Sequence, residues 1–237
     1  MIKISMIFFG IILSIMMLLL GSGGCVTWEE PIMLGGKPNP IESPDVIQHY
    51  KDNSDFLAEC GWSRLSEYQA DNSWILHLYL LKDAAINFNS CWRWNPDNYN
   101  AYWGWGIVRG IQATLPDFED SAELFLKQSI TFLLDARKHD FPETEIDAFR
   151  LDLANAYNGL GAFYLDHGQP EKADTPLAQG EALLLDVIKT DSDNGRAYFL
   201  LSANAYYRGN IKIAKEYVIK AKNLNYKIPV DFIDQLK

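Results

Sequence analysis

160-LGAFYLDHGQPEKADTPLAQG-180 and 201-LSANAYYRGNIKIAKEYVIKA-221 carry one pattern twice, 41 residues apart. Leu160 falls over Leu201, Gly161 over Ser202, Gly168 over Gly209, Ala173 over Ala214, Leu177 over Val218 and Gly180 over Ala221. The order is large apolar, small, turn glycine, small, apolar, small. Small residues let two helix backbones approach, and a glycine between them supplies the left-handed turn that ends the first helix. The pattern predicts two antiparallel helix hairpins, one following the other.

The same grammar continues upstream. In 84-AAINFNSCWRWNPDN-98, Ala84 and Cys91 take the small places, Phe88 the apolar one, and Pro96 closes the helix. Trp105 and Gly106 then stand where a large residue and a small one open the next hairpin, while Cys60 and Gly61 fit that pair less closely. These residues resemble the tetratricopeptide repeat (TPR), whose signature joins a large-then-small pair to spaced small and aromatic positions and a closing proline. The usual period is ~34 residues; the interval here is longer by about two helical turns, which lengthens helices without rotating the buried face. The resemblance implies an all-α, right-handed solenoid of about four antiparallel helix pairs with a C-terminal cap helix. The pairs run over about 45–98, 99–142, 143–194 and 195–228, and the cap, needed to cover the last open face, over 229–237. Asp97 and Asn98 are predicted to cap the helix 100–115, Pro116 and Asp117 to form a turn before a partner helix at about 119–138, and Pro170 to open a helix reaching Thr190.

Residues 1–24 read as a signal peptide: Lys3 gives a positive start, Ile7 to Leu20 an apolar run, and 21-GSGGC-25 small residues before a cysteine. That ending resembles a bacterial lipoprotein signal, although Ser22 stands where the family usually carries Leu. The resemblance implies that Cys25 is lipidated and becomes the mature N-terminus. The chain would then sit in the cell envelope, held by its lipid at the outer membrane and facing the periplasm. Read instead as an uncleaved anchor, Ile4–Leu20 is at the lower limit for a spanning helix, which needs roughly 17 apolar residues or more. Residues 25–44, rich in Pro and Gly, read as a tether.

Composition narrows the function. With 48% hydrophobic and 22% charged residues, the 237-residue chain is globular rather than disordered. A net charge of −10 and no basic stripe argue against a nucleic-acid surface. Cys60 and Cys91 form an even pair in an oxidising compartment, which leaves a disulfide open. An antiparallel pair turning near Ala70–Asp71 offsets them by roughly 15 Å along the axis, and a bridge needs Cα atoms within about 7 Å, so this register predicts core thiols.

No nucleophile–base pair, metal-ligand spacing or cofactor fingerprint emerges. His49, His77, His139 and His167 fall in separate places, and there is no H-E-x-x-H or C-x-x-C. In 191-DSDNG-195 the sixth and twelfth calcium-loop positions are Arg196 and Ser202, so it reads as a turn. Asp140, Glu143, Glu145 and Asp147 suit a helix N-terminus. The expectation is a binding protein with no metal and no cofactor, not an enzyme. What stands out is an aromatic run, with Trp92, Trp94, Tyr99, Tyr102, Trp103 and Trp105. Trp105 is expected in the core. Tyr99, Tyr102 and Trp103, with Asn98 and Arg109, are the candidate contacts for a protein or peptide ligand, since first helices of TPR arrays line the concave groove. The alternative ligand is cell-wall carbohydrate stacked on the same rings.

Overall fold

The computed structural model describes residues 44–70 and 74–237, so the signal peptide, Cys25 and the tether lie outside the described residues. Among those described there are nine α-helices and no strand. They are α1 (Pro44–Ala70), α2 (Trp74–Trp94), α3 (Tyr99–Gln112), α4 (Ala122–Ala136), α5 (Ile146–Asp166), α6 (Pro170–Thr190), α7 (Gly195–Tyr207), α8 (Ile211–Asn223) and α9 (Val230–Gln235). The protein is all-α, with helices packed in adjacent pairs.

The helix ends are chemically determined. α5 and α7 stop in the same motif: Gly168 and Gly209 take φ of 69° and 76°. The next N–H reaches back to the helix, Gln169 to the Tyr164 carbonyl and Asn210 to that of Ala205, both at 2.8 Å. This satisfies carbonyls that would otherwise be orphaned at the helix end. Asn225 repeats the motif after α8 with φ of 60°. Asn194 caps α7 by accepting the Ala197 N–H at 2.9 Å, so 191-DSDNG-195 is the helix–helix turn. Two helix starts differ from the sequence reading. Pro116–Ser121 is a 3₁₀ turn broken at Phe118 (φ −120°), and α4 begins only at Ala122. Glu143–Glu145 is likewise 3₁₀, and α5 begins at Ile146.

A single domain was expected over 45–237. Among the described residues the chain instead divides into two compact units, one drawn from residues 44–109 and Thr131–Phe141, the other from Gly110–Ile130 and Pro142–Lys237. The boundary runs through α3 and α4, because the first half of α4 packs with α5. A Cβ on Gly159 would meet Leu126 at 3.1 Å, and the Tyr164 hydroxyl donates to Glu123 at 3.0 Å.

In the unit containing α1 and α2, Ser54, Ala58, Leu65 and Tyr68 are buried from α1, and Leu81, Ala84, Ala85, Phe88 and Cys91 from α2. Phe88 is wholly buried against two glycines. A Cβ on Gly61 would lie 2.7 Å from its ring, and one on Gly104 would overlap it. The close-approach residue of α3 is therefore Gly104, the residue immediately before the Trp105–Gly106 pair singled out in sequence. Trp105 is core as expected, 5% exposed, with Phe132 of α4 at 6.3 Å.

The other unit holds the hairpins α5–α6 and α7–α8. Gly161 packs on Leu177, and the Ser202 hydroxyl, at the equivalent place, donates to the Ala214 carbonyl at 2.7 Å. Their shared core includes Leu151, Leu184, Val187, Leu200, Leu201 and Val218, with Phe232 of α9 set against Phe199 and Tyr206. Each such side chain contributes about 1.5–3 kcal/mol on burial. A short polar chain crosses this core. The Asn204 amide donates to Asn158 Oδ1 (2.7 Å) and to the Leu177 carbonyl (2.8 Å), and the Asn158 amide donates to the Leu200 carbonyl (3.1 Å). Buried amides without such partners would cost several kcal/mol, so the chain fixes the register between the hairpins.

Candidate functional site

The structure brings most of the predicted contact residues together, and turns most of them inward. Asn98 is 6% exposed. Its Oδ1 accepts the Asn100 N–H at 3.0 Å, capping α3 as predicted. Its amide donates to Ser54 Oγ (2.9 Å) and Asp55 Oδ1 (2.8 Å) of α1. Asn98 is therefore a cap and a tie between helices rather than a ligand contact.

Trp103, also 6% exposed, is enclosed by Trp62 at 5.2 Å and Phe141 at 5.4 Å, with Tyr99 at 6.5 Å. Tyr102 is half-buried with its face stacked on His139 (4.4 Å, 13° between planes). Its hydroxyl accepts from Trp92 Nε1 at 3.0 Å and donates to the Pro96 carbonyl at 2.8 Å. Burial raises the phenol above its ordinary range, partly offset by the Trp92 hydrogen bond. Arg109 does not join this group: it is buried, 6% exposed, with its guanidinium over the Trp105 ring at 5.4 Å. The reading of Trp103, Asn98 and Arg109 as exposed contacts is corrected. Each meets partners supplied by distant helices or by its own preceding turn.

A surface remains around the buried Trp103. Trp62, Tyr99, Asn100 and Phe141 are each half-buried. Trp62 Nε1 donates to Asn100 Oδ1 at 2.9 Å, Tyr99 meets Phe141 edge-on at 5.0 Å, and Arg137 lies over Phe141 at 5.0 Å. Three aromatic edges and one carboxamide held by an indole make a small, stiff, amphipathic surface. Phe141 and Trp62 were absent from the sequence candidates. Aromatic residues gather between Trp62 and Trp105, so Trp62 carried that compositional signal; Phe141, lying just before Pro142, carried none.

The second unit has a groove of ≈ 470 Å³ lined by Leu165, Glu171, Asp174, Tyr207, Arg208 and Asn210 among others. Its wall is mostly polar, and Arg208 pairs with Glu181 at 3.3 Å. Asp166, open to solvent on one side, has its carboxyl pushed up to about 6 by partial burial, which His167 counteracts. Tyr207 is pushed well above the phenol range by burial and by the Asp166 charge.

The remaining polar candidates each have a neighbour in the fold. Each histidine lies against a ring: His49 on Trp94, His77 on Tyr68, His139 on Tyr102 and His167 on Phe163. Asp147 pairs with Arg150 and accepts from Thr190. Among the described residues no three His, Cys, Asp or Glu side chains stand together as metal ligands. Cys60 and Cys91 are free thiols, so the bridge left open by their even number is not made. Cys91 lies 3.2 Å from Ser54 Oγ, and burial pushes its thiol up to about 11. No family model, curated protein or solved structure matches the chain.

Proposed function

We propose that the chain is a membrane-anchored, extracytoplasmic scaffold of TPR-like hairpins that binds a protein or peptide partner, with a role in assembling an envelope complex. The observation that carries the reading is the half-buried surface of Trp62, Tyr99, Asn100 and Phe141 around Trp103. Half-buried aromatics on a rigid support supply apolar contact area at little entropic cost to the protein, which is how binding hot spots work. Trp62 belongs to the first helix of the first pair and Tyr99 to the first helix of the second. These are the helices that line the groove in a TPR array.

A peptide fits this surface better than a glycan. Sugar stacking needs an open ring face, and here Tyr102 is covered by His139 while Trp103 is enclosed by Trp62 and Phe141. The anchor is the lipid on Cys25, and the Pro/Gly-rich residues 25–44 carry the helices away from the membrane.

Two experiments test the reading. A photo-crosslinking residue at Tyr99 of the full chain should capture a discrete partner that the same residue at Tyr79, 55% exposed on α2, does not. Equal capture at both positions, or none, refutes a partner at this surface. Separately, Cys25→Ser should abolish incorporation of labelled palmitate and release the protein from the membrane fraction; unchanged labelling refutes the anchor.

A further inference from the structure

The two matched hairpins keep their packing residues and reverse their outward charges. At the 41-residue offset, Glu171, Asp174 and Glu181 of α6 fall on Lys212, Lys215 and Lys222 of α8. On α6 that face stays exposed at Glu171 and Asp174 but is flanked by the end of the hairpin that follows. Tyr207 and Arg208, at the end of α7, wall the groove over Glu171 and Asp174, and Arg208 pairs with Glu181. Among the described residues, the equivalent face of α8 has no such neighbour. The six-residue α9 places Phe232 on Phe199 and Tyr206 of α7 instead. Lys212, Lys215 and Lys222 are exposed and make no ion pair among the described residues, while Ile219, between Lys215 and Lys222, is 58% exposed and Ile211, beside Lys212, is 38% exposed. In a chain of net charge −10, α8 carries four lysines against one glutamate.

A face of matching design and opposite charge exists on α1. Asp52, Phe56 and Glu59 are exposed, Phe56 at 62%, and they lie on the side of α1 opposite the residues Ala58, Leu65 and Tyr68 that are buried. Their spacing is i, i+4, i+7, as is that of Lys215, Ile219 and Lys222. In both helices the two charges stand about 10 Å apart along the axis with the large apolar side chain between them. Set parallel, Lys215 meets Asp52, Ile219 meets Phe56 and Lys222 meets Glu59.

We propose that the Lys215–Ile219–Lys222 face of α8 docks on the Asp52–Phe56–Glu59 face of α1 of a second copy of this chain. The contact is heterologous, using different faces on the two copies, so each copy retains one free face of either kind. Charge complementarity sets the register, and the Phe56–Ile219 contact supplies the apolar centre that a rim of ion pairs needs to hold. Because the charges are solvent-exposed, the association weakens as salt shortens the screening length from about 10 Å at 0.1 M to about 3 Å at 1 M. The inference is independent of what fills the aromatic surface.

The test uses two differently tagged full-length copies in a Cys60→Ser background, one carrying Phe56→Cys and the other Ile219→Cys, co-expressed and oxidised. A disulfide joining the two tags is expected. Adding Lys215→Glu and Lys222→Glu to the Ile219→Cys copy should lower its yield at least tenfold. Adding Asp52→Lys and Glu59→Lys to the Phe56→Cys copy as well should restore it, which a folding defect would not. Absence of the bridge, a bridge indifferent to charge reversal, or Ile219→Cys trapping a different protein instead would each overturn the proposal.

Discussion

The tightest contact in the repeat is Gly161 on Leu177, and it makes a quantitative prediction. A methyl group at Gly161 would lie 2.5 Å from Leu177 Cγ and 2.6 Å from its Cδ2. Carbon atoms at rest prefer roughly 3.5–4.0 Å, so Leu177 must move by about 1 Å. Leu177 is 1% exposed and packed, so that shift disturbs its neighbours. Overpacking of this kind costs about 1–3 kcal/mol, against which alanine gains about 1 kcal/mol over glycine in helix propensity. Gly161→Ala is therefore expected to destabilise by up to about 2 kcal/mol, lowering Tm by a few degrees. The sharper reading comes from a double-mutant cycle. Leu177→Ala alone should cost about 2–5 kcal/mol. In that background the added methyl enters vacated space, and Gly161→Ala should become stabilising by about 1 kcal/mol, giving a coupling of about 1–3 kcal/mol. Urea unfolding followed by far-UV circular dichroism measures all four variants, provided the m-value is constant. If Gly161→Ala stabilises equally in both backgrounds, the glycine is not there for close approach and the packing account of the repeat fails.

Four further outcomes are expected. Asn204→Leu removes the donor to Asn158 Oδ1 inside the core and should cost about 1–3 kcal/mol in the same urea assay, whereas the exposed Asn223 should tolerate substitution. Tyr102→Phe deletes the hydroxyl shared by Trp92 and Pro96 and should cost about 1 kcal/mol while changing the tryptophan emission; an unchanged spectrum would deny the Trp92 hydrogen bond. In the unlipidated protein at pH 8, the half-buried Cys60 should react with a thiol reagent while Cys91, pushed up to about 11, reacts only on unfolding. For Asp166, whose folded value of about 6 exceeds its ordinary 3.8, the folded state binds the extra proton, so its contribution favours folding at low pH and is lost as pH rises from about 4 to 6. Solvent on its open side limits the effect to about 0.5 kcal/mol, so Asp166→Asn should raise Tm slightly at pH 7 and leave it unchanged at pH 4.

Helix pairing was legible because local chemistry writes it. Gly168, Gly209 and Asn194 end or begin helices through their own backbone and side chains, and each could be read from a few neighbouring residues. The heptad-lengthened interval was legible for the same reason. The candidate site was only half legible. That Asn98 caps α3 is a local fact; that its amide is consumed by Ser54 and Asp55 depends on a helix more than forty residues earlier. Trp103 reads as exposed because α3 is aromatic on several sides, and only the arrival of Trp62 and Phe141 buries it. The burial of Arg109 does have a local signature: it sits four residues after Trp105, the spacing at which a guanidinium lies over a ring. The division of the chain through α3 and α4 has no local signature at all, since it depends on which neighbours each half of a helix finds.

The burial of the aromatic run changes what can be asked of it. A ligand resting on Tyr99, Trp62 and Phe141 would touch side chains whose other edges form the core around Trp103. Their positions are therefore fixed before binding, and little ordering entropy is lost when a partner arrives. The same economy means that Trp103→Ala or Trp62→Ala would remove packing and binding together, and loss of capture by such variants would say nothing about contact. Changes confined to the outer edges separate the two. Tyr99 is half-buried, and Tyr99→Phe keeps the ring that meets Trp103 and Phe141, so the core packing should be preserved while the outer edge is altered. The outward positions of the hairpins make the same point from the other side. Where α6 carries acids and α8 carries lysines on one packing scheme, the fold leaves the surface free to vary. The proposed contacts are therefore tested by changes where packing residues end, at the rims of the aromatic core and on the lysine face of α8.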